Sequence, residues 1–235
     1  MKYLVSIYTW CVGFVVFTAI LVISLILSYL FPLERYDPWF KKMLRLFFRI
    51  INIKVLVEGN SQFEENKPYL FMSNHVSLFD LPLLAGFILI SFRGVASAHQ
   101  FKWILYGWFL RRYGAIPIDR NSIYSSISAI RKAKDLLHSG KSVVLLPEGY
   151  RTKDGQLQQF KKLPFHLARQ ACVEIVPIGL SGLYSLKRKG SWLVRPKPVK
   201  LKFGEKIPAQ QVKSLSTEEL RTLTQKKIKD LIEWI

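Results

Sequence analysis

Tyr69-Leu70-Phe71-Met72-Ser73-Asn74-His75-Val76-Ser77-Leu78-Phe79-Asp80-Leu81-Pro82 is the stretch that decides how this chain folds. Its first four residues are an apolar run of strand length, and residues 81–90 continue with the longer apolar pattern of a helix. A histidine and an aspartate therefore stand on a strand-to-helix connection, where a rigid scaffold commonly presents reactive groups. Positions five apart do not share a face of a regular helix, because helical neighbours are three or four apart. With His75 in the connection and Asp80 in the first helical turn, the loop can fold back and bring the carboxylate to one imidazole nitrogen. The other nitrogen is then free to take a proton, which makes the pair a general base suited to deprotonating an alcohol. A simpler account fits the same residues: Ser77-Leu78-Phe79-Asp80 as a capping box, with His75 a hydrogen-bonded loop histidine.

Outward from this stretch, short apolar runs alternate with helical patterns. Strands are expected at 53–58, 69–72, 94–98, 115–118, 142–146, 175–178 and 199–203, and helices at 81–90, 101–113, 123–139, 161–171 and 217–234. Ser216-Thr217-Glu218-Glu219 gives the last helix a capping-box start. The alternation predicts an α/β domain with a largely parallel central sheet flanked by helices. Ligands of such sheets bind beyond the carboxyl ends of the strands. His75, Arg120, Glu148 and Arg151 each follow a strand candidate, so they can converge at one edge. In Pro147-Glu148-Gly149-Tyr150-Arg151 the glycine permits a close turn, and the arginine can grip a phosphate with two parallel hydrogen bonds. A solvated turn is the competing account, there and at Asp119-Arg120. Arg93, Arg111 and Arg112 are expected at the surface, with lining the mouth of the same site as the alternative.

The chain has 235 residues, half of them hydrophobic, which is room for one ordinary domain plus an anchor. It carries 35 Lys and Arg against 16 Asp and Glu, a net charge of +19. That balance attracts anionic lipid, acidic small molecules or proteins, or nucleic acid. The N-terminus chooses among them. No residue from Tyr3 to Leu33 is charged, a run longer than the roughly 20 apolar residues that cross a bilayer as a helix. It is too long for a signal-peptide core and lacks a clear small-x-small cleavage site. Pro32 and Pro38 bracket a break. Beyond it, Lys41, Lys42, Arg45 and Arg49 are expected on one side of a helix and aromatics on the other, as in a helix lying among lipid headgroups. A core-facing amphipathic helix fits the same pattern.

Residues 1–52 are thus expected to be a membrane-anchoring pair of helices, one hydrophobic and one amphipathic, and residues 53–235 the α/β domain. The excess of basic residues behind the apolar run places that domain on the cytoplasmic face if the first helix spans. An anionic membrane surface is the expected partner, and nucleic acid is not.

Other chemistries lack their residues. Gly140-Lys141-Ser142 precedes a strand instead of opening a helix, and position 135 is Asp135 where a phosphate-binding loop has glycine. Gly179-Leu180-Ser181-Gly182 is not the Gly-x-Ser-x-Gly elbow of a serine hydrolase. His75, His99, His138 and His166 show no zinc spacing, and Cys11 and Cys172 offer neither a disulfide framework nor metal ligands. Cys172 is expected to be a small buried hydrophobe. No metal and no cofactor are called for.

Asn74-His75-x-x-x-x-Asp80, Gly114-Ala115-Ile116-Pro117-Ile118-Asp119-Arg120, Leu146-Pro147-Glu148-Gly149-Tyr150-Arg151 and Ile175-Val176-Pro177-Ile178-Gly179 occur in that order. The set resembles the four sequence blocks of the glycerolipid acyltransferases, the 1-acylglycerol-3-phosphate acyltransferase family. The resemblance implies that a fatty acyl chain passes from acyl coenzyme A or acyl carrier protein to the free hydroxyl of a lysophospholipid. His75 and Asp80 would then be the catalytic pair. By the same resemblance, Asn74, Arg120, Glu148, Gly149 and Arg151 bind substrate, the last four at the glycerol phosphate end of the acceptor. Two departures stand out: Tyr150 and Thr152 replace the family's usual threonine and serine, and Ala98-His99-Gln100 stands where a Lys-Glu-Leu run is frequent. These departures weaken phosphate binding and change the pocket's shape. Lysophosphatidic acid is still the expected acceptor, with another lysophospholipid or an amino lipid as the alternative, and a non-catalytic basic membrane-binding protein as the competing account.

Overall fold

The structure, a computed structural model, describes residues 2–59, 62–64 and 66–233. Helices α1 (Lys2–Leu30) and α2 (Leu33–Ile50) lead into strands β1 (Val55–Glu58) and β2 (Tyr69–Ser73). Then come α3 (Asp80–Phe87), β3 (Phe92–Ser97), a 3-10 turn (Ala98–Lys102), α4 (Ile104–Arg112), β4 (Ile116–Ile118), α5 (Ile123–His138) and β5 (Ser142–Leu145). The chain continues through α6 (Leu163–Ala171), β6 (Glu174–Ser181), α7 (Leu183–Leu186), β7 (Val199–Phe203), α8 (Ala209–Ser214) and α9 (Thr217–Leu231).

The seven strands form one sheet in the order β1-β7-β6-β2-β5-β3-β4. β6, β2, β5, β3 and β4 run parallel, while β7 is antiparallel to β6 and β1 is parallel to β7. This is the largely parallel α/β sheet expected. Side chains alternate across it: Tyr69 and Phe71 pack with Val144 and Val176 on one face, and Leu70 and Met72 with Val143 and Ile175 on the other. Helices α1 to α4 and α7 cover the first face, and α5, α6, α8 and α9 the second. A sheet covered on both faces needs continuous apolar strands, which is why β2 is buried at all five positions.

Several boundaries differ from expectation for physical reasons. Residues 101–113 are not one helix, because Phe101 belongs to the 3-10 turn Ala98–Lys102, which folds back on α4; a Cβ at Gly107 would lie 2.3 Å from the Phe101 carbonyl oxygen. The two short helices α7 and α8 carry too few turns to show a period. Helix α9 does have its capping box, with Ser216 Oγ accepting from Glu219 N–H at 3.2 Å and Glu219 Oε2 accepting from Ser216 N–H at 2.8 Å. Its expected last residue, Trp234, lies outside the described residues. Cys172 is exposed, not buried, at the left-handed end of α6 (φ 51°).

The N-terminal pair is built into the domain. Pro38 lies inside α2, so the break falls between α1 and α2 alone. Phe40, Phe47 and Phe48 are buried in the same core as Leu83 and Phe109, with the Phe40 ring 5.1 Å from that of Phe109. Protein, not lipid, fills this aromatic face. Lys41 leaves the expected basic side too. It is 3% exposed, its Nζ 3.0 Å from Asp37 Oδ2, and burial lowers its pKa against the pull of that carboxylate. Asp37 also accepts from Tyr113 Oη at 2.6 Å and Ser91 Oγ at 2.5 Å.

Helix α1 is fastened to the body near both ends. At one, Ser6 Oγ donates to the Val194 carbonyl at 3.1 Å and accepts from Val194 N–H at 3.0 Å, while Trp10 Nε1 donates to the Trp192 carbonyl at 2.6 Å. At the other, Arg112 Nε donates to Ser28 Oγ at 3.2 Å and its guanidinium lies 4.4 Å from the Tyr29 ring. Between them the outward face of α1 is apolar, with Leu4, Phe14, Val15 and Tyr29 exposed. Ile104 and Trp108 are exposed on α4, which packs against α1. Beneath α1 and α4 is an apolar cavity of about 70 Å³ lined by Phe17, Phe40, Tyr106 and Phe109, and by Leu81 and Pro82 of α3.

Candidate active site

β2 lies at the middle of the sheet, and its carboxyl end carries the loop 74–79 into α3. Asp80 opens α3, wholly buried, and the loop folds over its carboxylate. Val76 N–H donates to Oδ2 at 2.7 Å, and Ser77 N–H reaches both oxygens at 2.9 and 3.0 Å. Negative charge at a helix N-terminus is favoured by the macrodipole. The same Oδ2 meets His75 Nδ1 at 2.7 Å. A carboxylate in that position holds a proton on Nδ1, which leaves Nε2 as the accepting nitrogen. Nε2 has no hydrogen-bond partner among the described residues, and the imidazole side chain keeps 11% of its surface exposed.

Of the capping-box account, half is present. Asp80 takes the Ser77 N–H, but Ser77 Oγ does not cap α3; it donates to the Lys187 carbonyl at 3.0 Å. Asp80 therefore serves the loop and the imidazole together.

The backbone of His75 is clamped by the segment after β5. Glu148 Oε1 accepts from His75 N–H at 2.5 Å, Oε2 accepts from Gln158 N–H at 2.9 Å, and Thr152 N–H donates to the His75 carbonyl at 2.9 Å. Gly149 makes the turn between these contacts with φ 80°. Burial pushes the Glu148 carboxyl up to about 7, against the two backbone N–H groups that favour its ionised form. Asn74 is 1% exposed and ties β2 to β6: its amide donates to the Leu180 carbonyl at 2.9 Å, and its oxygen accepts from Leu180 N–H at 2.8 Å. Asn74 and Glu148, both expected at the substrate, thus turn their polar atoms to the backbone and brace the loop that bears His75.

Arg120 follows β4 and is half-buried, its guanidinium 5.2 Å from the Tyr150 ring; burial depresses its pKa. Tyr150, the unusual residue of the third block, is 46% exposed and so forms an open wall beside Arg120. Arg151 is half-buried and within electrostatic reach of both Arg120 and Lys187. The structure thus brings Arg120, Arg151 and the His75 loop to one edge of the sheet. The other arginines serve elsewhere. Arg93 is buried with its Nη2 3.5 Å from Glu34, Arg111 donates to the Phe101 carbonyl at 2.7 Å, and Arg112 holds α1.

The dyad and its brace occupy the region matched by the acyltransferase family model, residues 54–181. The chain belongs to this acyltransferase family. It is 30% identical over 218 residues to a 1-acyl-sn-glycerol-3-phosphate acyltransferase of Saccharomyces cerevisiae, covering 83% of this chain and 71% of that one. It is also 30% identical over 190 residues to a chloroplastic 1-acyl-sn-glycerol-3-phosphate acyltransferase of Arabidopsis thaliana, covering 77% of this chain and 53% of the relative. The chain therefore spans about half the length of the plant relatives it matches, at 52–54% for the first three. Among solved structures it resembles the 1-acyl-sn-glycerophosphate acyltransferase of Thermotoga maritima, with a TM-score of 0.82, 26% identity, and 97% and 93% of the two chains covered.

Against the family's sequence blocks, three further residues now stand at the site: Thr152, Gln158 and Lys187. Gln158 acts through its backbone, which carries no sequence signal. Lys187 opens the run Lys187-Arg188-Lys189, which reads as solvated surface although Lys187 is only 8% exposed.

Proposed function

We propose that this protein is a membrane-associated O-acyltransferase that esterifies the free hydroxyl of 1-acylglycerol-3-phosphate with a fatty acyl chain from acyl coenzyme A or acyl carrier protein. The observation that carries the proposal is the 2.7 Å bond between His75 Nδ1 and buried Asp80, with Nε2 unpartnered among the described residues on a loop that Thr152, next to Arg151, holds by its backbone. The acceptor hydroxyl gives its proton to His75 Nε2 as its oxygen attacks the thioester carbonyl. The tetrahedral intermediate collapses with loss of the thiolate, which takes that proton back from the imidazolium. Products are the new ester and a free thiol, with no residue acylated on the way. Arg120 and Arg151 hold the phosphate of the acceptor, and the apolar cavity next to Leu81 and Pro82 receives alkyl chain. The family's matched relatives in yeast and plants support this choice of acceptor.

The decisive experiment offers labelled acyl coenzyme A and acyl carrier protein to the protein in anionic vesicles with a panel of lysolipids. 1-Acylglycerol-3-phosphate is expected to gain a second chain fastest. If no lysolipid is acylated from either donor, the proposal fails.

Helix α1 is the expected membrane contact. Its 29 residues, roughly 44 Å long by helical rise, are held to the body near both ends. In that seating it lies along the leaflet that the catalytic domain faces, with its apolar side in the acyl region. Both ends of α1 then share the cytoplasmic side with the domain. With Cys11 and Cys172 replaced by serine, Lys2→Cys and Lys189→Cys are both expected to react with an impermeant maleimide added to inside-out vesicles. Labelling of Lys2→Cys only from the opposite side would show a spanning helix.

A further inference from the structure

Lys187 is a residue 8% exposed, its ammonium partly buried and with donors to spare. Its Nζ donates to the Arg188 carbonyl at 2.9 Å and lies 5.8 Å from the Trp10 ring. No carboxylate is within 4.0 Å of it among the described residues. An ammonium carries three donors, so two have no protein partner among those residues. Burial lowers its pKa first, and the positive charge of Arg151 lowers it further. Arg151 acts on Arg120 in the same way. Lys189 Nζ donates to the Arg151 carbonyl at 3.4 Å, and Arg120 packs on the ring of Tyr150, the residue before Arg151, so the segments that carry these three cations meet. Among the described residues none of the three has a carboxylate within 4.0 Å. A partly desolvated cation without a carboxylate partner is better accommodated when an anion accompanies it.

The position of Lys187 is fixed by the catalytic loop itself. It ends α7, just beyond the carboxyl end of β6 and beside the central strand β2. Its carbonyl accepts from Ser77 Oγ, while Ser77 N–H is held by Asp80, so one serine joins Lys187 to the partner of His75. The opposite wall of the same loop is the His75 carbonyl, which accepts from Thr152 next to Arg151.

We propose that Lys187 is a third ligand of the acceptor's phosphate monoester, and the residue that selects phosphate-bearing acceptors over neutral ones. The assignment rests on the acyl-transfer function above. A doubly charged monoester accepts from a mobile ammonium and planar guanidiniums at once. The phosphates of coenzyme A have the same chemistry, so donor and acceptor must be separated by experiment.

Binding of sn-glycerol 3-phosphate and of coenzyme A to the full chain in nanodiscs would be measured by calorimetry for the native protein, Lys187→Met and Lys187→Arg. Loss of one charge-assisted contact is expected to weaken glycerol 3-phosphate by about tenfold or more in Lys187→Met, with Lys187→Arg within about threefold of native. Coenzyme A binding stays unchanged. In turnover, KM for 1-acylglycerol-3-phosphate rises by the same factor at nearly constant kcat, and acylation of monoacylglycerol does not change. Native affinity for glycerol 3-phosphate in Lys187→Met, no binding by the native chain, or a loss that falls on coenzyme A overturns the proposal. If binding depends on Lys187 but no lysolipid is acylated, the anion site stands and the acyl-transfer function falls.

Discussion

His75→Ala is expected to lower acyl transfer by roughly 10³-fold, within the usual range for loss of a general base, without unfolding the protein. The fold survives because Asp80 keeps its backbone donors, Val76 N–H at 2.7 Å and Ser77 N–H at 2.9 Å, when the imidazole is gone. The chemistry does not, since no other group on the loop has an unpartnered basic nitrogen. Asp80→Asn separates orientation from charge. An amide oxygen in the place of Oδ2 still accepts from Val76 N–H and from Nδ1, so the imidazole keeps its orientation, but the negative charge that stabilises the imidazolium formed during transfer is gone. A loss of about 10²-fold or more is expected there as well. Single-turnover transfer of a labelled acyl group, measured beside thermal unfolding, tests both. Activity within tenfold of native in His75→Ala would remove the imidazole from the mechanism.

The second large effect belongs to a residue whose carboxyl oxygens are taken up by backbone N–H groups. Glu148→Ala strips the acceptor from two N–H groups, His75 at 2.5 Å and Gln158 at 2.9 Å. Each unsatisfied buried donor costs about 1–3 kcal/mol, a large share of the ~5–15 kcal/mol that holds a domain together. Both the unfolding temperature and kcat are expected to fall, since the loop that sets the imidazole loses its brace. The native carboxyl also makes stability depend on pH. Its folded pKa of about 7 lies above the ordinary 4.5, so the folded chain holds a proton that the unfolded chain has released. That contribution is complete below 4.5 and is lost as pH rises through about 7. It amounts to about 3 kcal/mol. Glu148→Gln cannot titrate. Chemical denaturation at pH 5 and pH 8 should therefore show the native protein losing more stability than Glu148→Gln across that interval. Parallel curves would place the Glu148 titration elsewhere.

The parts of this molecule legible in sequence were those set by local pattern. All seven strands fall on expected apolar runs because the sheet is covered on both sides. β3 begins two residues early only because a buried arginine, Arg93, interrupts its run. The His75 and Asp80 contact was legible because five residues suffice to close it. The brace was not: Glu148 and the His75 N–H are 73 positions apart, and one partner is backbone. Lys41, on the basic side of its helix pattern, and Lys187, first of three consecutive basic residues, both read as solvated because charge predicts solvent. Lys41 instead finds Asp37 one turn away inside the core, and Lys187 ends a helix too short to announce itself.

Helix α1 has two sides with different tasks. Phe17 of α1 lines the apolar cavity and its Trp10 faces the Lys187 ammonium, while Phe14 and Val15 look outward. With α1 seated in a bilayer as proposed, the lipid phase, and not the surrounding water, becomes the medium in which reactants are counted. Rates then scale with the mole fraction of acceptor among its neighbours. Diluting a fixed amount of lysolipid into inert bilayer slows the enzyme although no molar concentration in the tube has changed.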